Sequence, residues 1–106
     1  MLFVHQANPV YAMPEFAKSL GKTTLVSLSS HNDETTALAA LVLPDHTPFE
    51  AWGDAQPVLG VKRIQQPTVR PLFNTRAAGD VLIDLATRIG KPLAGGDFQS
   101  RIAGAW

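Results

Sequence analysis

The segment Asn8-Pro9-Val10-Tyr11-Ala12-Met13-Pro14, set directly behind the short apolar run Leu2-Phe3-Val4, constrains this chain more than any other feature. Leu2-Phe3-Val4 reads as a buried strand, and Asn8-Pro9 is a turn signal that ends it. Further on, Asp33-Glu34-Thr35-Thr36-Ala37 precedes a second punctuated apolar run, Leu41-Val42-Leu43-Pro44. Each polar cluster falls where a parallel strand would end, the edge at which open α/β sheets receive ligands.

Between these clusters the periodicity alternates. Pro14 suits a first helical turn, Phe16, Ala17 and Leu20 share one face, and Gly21 terminates, so a helix is expected over Pro14 to Leu20. Thr23 to Ser29, with Leu25, Val26 and Leu28, has the β-branched and apolar character of a second strand. Asp33 is placed to cap a short helix over Glu34 to Ala39, and Glu34 favours its dipole. Leu41-Val42-Leu43, stopped by Pro44, reads as a third strand. Two strand–helix–strand units imply right-handed crossovers. The expected fold class is α/β, a partial parallel sheet with short covering helices, with residues 1–44 as a βαβαβ core. Leu25, Val26, Leu28, Leu41, Val42 and Leu43 are the expected sheet core.

Residues 45–74 read as an extended loop, because Pro48, Gly53, Pro57, Gly60, Pro67 and Pro71 break every period; only Val61 to Ile64 suggests a brief extended piece. Residues 75–106 read as helical. Thr75 or Asp80 would cap a helix whose stripe Val81, Leu82, Leu85, Ala86 and Ile89 covers the sheet before Gly90 ends it. Lys91 to Gly96 is a linker, and Asp97 caps a last helix from Phe98 towards Trp106. One partial domain, 1–106, is expected, and its abrupt apolar ends suggest a longer parent.

Composition narrows the functions. The chain has 106 residues, no Cys and a formal net charge of zero. Without Cys it holds no iron–sulfur cluster, thiolate zinc site or thiol nucleophile of its own. Scattered Lys and Arg, paired only at Lys62-Arg63, argue against nucleic acid as a partner, since counterion release needs a clustered basic face. No apolar run approaches the roughly 20 residues of a membrane span, and no secretory signal is present in this segment.

Three clusters carry candidate chemistry. Gln6, Asn8 and Tyr11 at the end of the first strand offer backbone N–H groups and an amide to a phosphate or a nucleotide edge, although Asn-Pro also makes a turn unaided. Ser29 to Thr35 form a polar helix entry, which capping alone also explains, and Asp33 and Glu34 would repel phosphate. Asp45, His46, Glu50, Trp52 and Asp54 include metal-ligand types, but no His pair has HxxxH or HExxH spacing, so no metal site is expected. No GxSxG, GxGxxG or Walker-type loop occurs, and no catalytic residue is assigned.

In order and spacing, Asn8-Pro9-Val10-Tyr11 through Pro14, Asp33 through Pro44, Glu50-Ala51-Trp52-Gly53-Asp54 and Gln65-Gln66-Pro67-Thr68-Val69-Arg70-Pro71-Leu72 resemble the large subunit of molybdopterin oxidoreductases over nearly the whole chain. The resemblance implies an interior piece of a longer polypeptide, from the α/β domain that embraces a molybdopterin guanine dinucleotide. Cofactor contacts would map to Asn8, Ser29, Glu34, Thr35, Glu50 and Gly53. The pattern also departs from the family. The Gly before Asn-Pro is Gln6, the acidic residue after the second strand is Ser29, and the Asn and Arg of an N-x-x-G-R pattern fall on Pro57 and Val61. Losing that Arg removes a bidentate phosphate donor.

These departures resemble the cofactor-free relative in the quinol-oxidising assembly called alternative complex III. The resemblance then implies an electron-transfer scaffold of a respiratory membrane complex, with no cofactor bound by this segment and iron–sulfur clusters elsewhere in the parent. Its partners would be the remainder of the polypeptide and iron–sulfur and membrane subunits, at the periplasmic face of a bacterial membrane. Two alternatives stand beside it. One is a piece of an active molybdenum oxidoreductase akin to polysulfide or thiosulfate reductases, holding the guanine dinucleotide; the other is an independent small α/β module for an anionic small molecule.

Overall fold

The computed structural model describes residues 1–106. They form two units, Met1–Asp45 and His46–Trp106.

The first unit is an α/β layer. Strands β1 (Leu2–Val4), β2 (Leu25–Ser27) and β3 (Leu41–Val42) are parallel in the order β1-β2-β3. The register sets Phe3 beside Val26 and Val26 beside Leu41, with Val4, Ser27 and Val42 one step along. Helices α1 (Pro9–Ala12) and α2 (Glu15–Ser19) fill the first crossover, and α3 (Glu34–Ala37) the second. Both crossovers step the same way along the sheet, so right-handed connections put their helices on one face. Ser27 Oγ and Thr36 Oγ1 lie 2.9 Å apart, which identifies that face as the one carrying Ser27.

The central strand is the core. Leu25, Val26 and Leu28 are each 2% exposed and Ser27 is 1%. The third strand forms as the apolar triplet predicts but does not join that core, for Leu41 is 50% and Val42 39% exposed. A strand with one paired edge gains burial only from the faces that something covers, and here little covers them. The helices are also shorter than expected. Asn8 does more than turn the chain, accepting from Tyr11 N–H as the N-cap of α1. Pro14 caps α2, which stops at Ser19. Gln6, just before this entry, has φ 49. That left-handed backbone is the region glycine occupies without cost.

The second unit corrects the loop expected over residues 45–74. Strands β4 (Gly53–Val58) and β5 (Val61–Gln65) form an antiparallel hairpin. The residues that argued against structure are its devices. Gly60, at φ 81, supplies the positive φ of a tight turn between Val58 and Val61, and Pro57 sits within the register shift between Ala55 and Val58.

Helices α4 (Ala78–Arg88) and α5 (Phe98–Gly104) complete this unit. Asp97 caps α5 through Ser100 N–H, as expected. Neither Thr75 nor Asp80 caps α4, whose N-cap is Ala77 without a side-chain bond. Thr75 Oγ1 instead pairs with His46 Nδ1 at 2.7 Å, and Asp80 accepts from Phe98 N–H at 2.8 Å, so both hold distant chain. A Cβ on Gly79 would lie 2.4 Å from the Phe98 ring, which makes glycine necessary where the two helices meet. The expected covering stripe is not a buried one: Leu82 is 46% and Ile89 64% exposed, while Ala78 and Ile102 are buried. No helix is long and apolar enough to cross a membrane.

Candidate functional site

The strand ends of the first unit bring together three of the six candidate cofactor residues. Asn8 follows β1 and caps α1, while Glu34 and Thr35 open α3. Asn8 Nδ2 donates to Glu34 Oε2 at 2.6 Å, and Thr35 Oγ1 donates to Asn8 Oδ1 at 2.7 Å. Thr35 Oγ1 also accepts from Val10 N–H at 3.1 Å. The three side chains therefore satisfy one another and the α1 backbone. Glu34 is held below the usual carboxylate range, first by the Asn8 amide. It is an anion at neutral pH, so the group nearest the Asn8 amide repels phosphate.

Ser29 stands in a second local network. Its Oγ donates to the His31 carbonyl at 3.0 Å and accepts from His31 N–H at 3.1 Å, with Asp33 Oδ2 at 3.4 Å. Asp33 caps α3 through Thr36 N–H at 2.7 Å, and that bond is the first cause of its lowered pKa. Two ionised carboxylates thus stand in succession at the entry to α3.

One further pair stands at this edge that no motif in the sequence announces. His5, directly after β1, lies 2.6 Å from Asp45 through Nε2 and Oδ2. β1 and β3 are the two outer strands, so the pair joins the chain leaving one to the chain leaving the other. Its only sequence signal is position: each residue comes just after an apolar run.

Glu50 and Gly53 belong to the second unit. Glu50 is 8% exposed and pins two stretches of backbone: Oε2 accepts from Thr47 N–H at 2.9 Å and Oε1 from Leu72 N–H at 3.0 Å. Those bonds, Thr47 first, hold its carboxyl below the usual range. Gly53 opens β4 opposite Gln65. Glu50 lines a cavity of about 280 Å³ with Trp52, Pro67, Arg70, Pro71 and Phe98. The carboxylates around it are committed to backbone N–H groups, Asp80 to Phe98 and Asp97 to Ser100. No group of three or more His, Cys, Asp or Glu side chains is arranged to hold a metal ion.

A guanine dinucleotide needs preorganised donors for its phosphates. Asn8 and Thr35 spend their donors on Glu34 and on Asn8, and no buried side-chain nitrogen or oxygen lacks a partner. In the hairpin, Pro57 and Val61 carry no side-chain donor. The side-chain donors of Asn8 and Thr35 are therefore already engaged within the chain.

No family model matches the chain. It is 34% identical, over 109 aligned positions, to the menaquinone reductase molybdopterin-binding-like subunit of Nitratidesulfovibrio vulgaris. The match covers 95% of this chain and 16% of that protein, so the chain spans about one sixth of the length of its relative. Over nearly its whole length, then, this chain is related to a segment of a molybdopterin-binding-like subunit.

Proposed function

We propose that the chain serves as part of an electron-transfer subunit of a respiratory membrane complex, in which this molybdopterin-like layer is a scaffold and not a cofactor holder. The observation that carries the reading is the closed Asn8–Glu34–Thr35 network. A ligand entering there would have to break the charge-assisted bond from Asn8 to Glu34, worth more than a neutral one, together with the neutral bond from Thr35 to Asn8, and face the Glu34 carboxylate. The name of the relative, a subunit of a menaquinone reductase, supports the electron-transfer half of the proposal. Kinship with the quinol-oxidising alternative complex III branch, iron–sulfur clusters elsewhere in the parent, and a place at the periplasmic face of the membrane belong to the same proposal.

Calorimetric titration of the protein with guanosine diphosphate tests it. Absence of saturable heat up to 1 mM, on the order of the weakest affinity that carries specific recognition, is expected. Micromolar binding abolished by Asn8→Ala would replace the scaffold with an active molybdenum oxidoreductase segment or an anion-binding module.

A further inference from the structure

The two open edges of the parallel sheet are unequal. In a strand, successive residues turn their N–H and C=O groups to opposite sides, so an outer strand bonds its neighbour through every second residue and holds the others outward. In β1 the inward residues are Leu2 and Val4. Leu2 N–H donates to the Thr24 carbonyl at 2.9 Å, and the Val4 carbonyl accepts from Leu28 N–H at 2.8 Å. The N–H and C=O of Phe3, between them, therefore point away from β2. In β3, Leu43 N–H donates to the Ser27 carbonyl at 2.9 Å, so Val42 and Pro44 are the outward residues.

Proline has no N–H, and the outer edge of β3 thus lacks a donor one step beyond Val42. That strand is also only two residues long. Short edge strands and proline are the devices by which sheets close an edge against further pairing. β1 carries neither, nor a charge or a register shift, and no helix or loop bonds to the backbone of Phe3. Its side chains are apolar toward both faces: Leu2 and Val4 lie beside Leu25 and Ser27, and Phe3 lies beside Val26 on the opposite face. An unprotected strand that is apolar on both faces has the make-up of one enclosed within a parallel sheet.

We propose that β1 is an interior strand, and that its outer edge, through the N–H and C=O of Phe3, pairs with a further strand of the same polypeptide from outside residues 1–106. The inference rests on the kinship with a subunit about six times longer than the matched stretch, which has ample chain to supply such a strand. A second copy of the chain suits the edge less well. Two β1 edges related by a two-fold axis would centre on Phe3 and exchange two hydrogen bonds, against about ten in a typical interface. A strand of the same polypeptide needs no such interface, because it is spared the cost of association.

The test uses the native full-length subunit in its complex. Residue-resolved hydrogen exchange should find the Phe3 amide about a hundredfold slower than the Val42 amide, the outward donor of the closed edge. Equal rates would overturn the proposal. Phe3→Pro removes an N–H that β2 does not use, and Phe3→Ala keeps it. The yield of assembled subunit should fall about tenfold further with proline than with alanine, whereas Val42→Pro should match Val42→Ala. Equal tolerance of proline and alanine at position 3 would overturn the proposal as well. A diazirine-bearing phenylalanine at position 3 identifies the occupant: adducts should map to the same polypeptide outside residues 1–106. Adducts only to a second copy or to another subunit, or no adduct, would refute it. None of these readouts involves nucleotide binding, so the scaffold reading stands or falls separately.

Discussion

Thr35 Oγ1, on a residue 1% exposed, donates to Asn8 Oδ1 at 2.7 Å across 27 residues of sequence. That bond ties the entry of α3 to the cap of α1 and uses the two side chains that a ligand at this edge would be expected to engage. Asn8→Ala removes the α1 cap and leaves a buried hydroxyl without its acceptor. The expected cost is about 2 kcal/mol, combining a lost cap with an unsatisfied buried group. Urea denaturation measures it, and a change below about 0.5 kcal/mol would show the network to be incidental.

Acid should weaken the fold through its carboxylates. Asp33, Glu34, Glu50 and Asp97 all have folded pKa values below their ordinary ones, through bonds from Thr36, Asn8, Thr47 and Ser100 respectively. A depressed folded pKa means that the unfolded chain binds more protons. The stabilisation is therefore present above the unfolded value, roughly pH 4 to 4.5, and is lost as pH falls through the folded value. The urea midpoint should be level between about pH 5 and 7 and drop below about pH 4. Glu50→Gln should shallow that drop, and a midpoint that rises on acidification would contradict the assignment.

Gln6 holds φ 49, where a side chain costs about 1 kcal/mol or more and glycine costs little. Part of the gain from glycine is returned as unfolded-chain entropy, so Gln6→Gly should stabilise by about 0.5 kcal/mol. Clear destabilisation would mean that the Gln6 side chain supplies something the backbone geometry does not reveal.

Packing separates two leucines. Leu28, 2% exposed beside the central strand, should cost on the order of 2 to 5 kcal/mol when replaced by alanine. Leu82 is 46% exposed, and Leu82→Ala should stay within about 1 kcal/mol. Comparable losses from the two variants would mean that Leu82 packs more closely than its exposure implies.

The parts of this fold that sequence discloses are those fixed by neighbours in the chain. The apolar runs Leu2-Phe3-Val4 and Leu25-Val26 became adjacent parallel strands, and Asp33 and Asp97 cap the helices that follow them. What stayed hidden was set at a distance. Half of the hairpin was legible, for β5 forms over the extended piece at Val61 to Ile64; β4 was concealed because Pro57 and Gly60, which break periodicity, occupy a register shift and a turn where they cost little. Thr75 and Asp80 look like caps, yet their partners are His46 and Phe98. Leu41 and Val42 are apolar enough for a core, but exposure depends on what lies over a strand, and the strand itself does not encode that. The candidate site shows the same division. Asn8, Ser29, Glu34 and Thr35 are nameable as polar strand-end residues, whereas the pairing of Asn8 with Glu34 is a tertiary fact that no local pattern encodes.

On the proposed reading, these strand ends are closed upon themselves and hold no dinucleotide. Its most direct test is the molybdenum and pterin content of the native full-length subunit, measured by elemental analysis and by fluorescence of oxidised pterin derivatives. Neither is expected at stoichiometric level, with iron abundant in the same complex. About one molybdenum per subunit, with matching pterin, would contradict it.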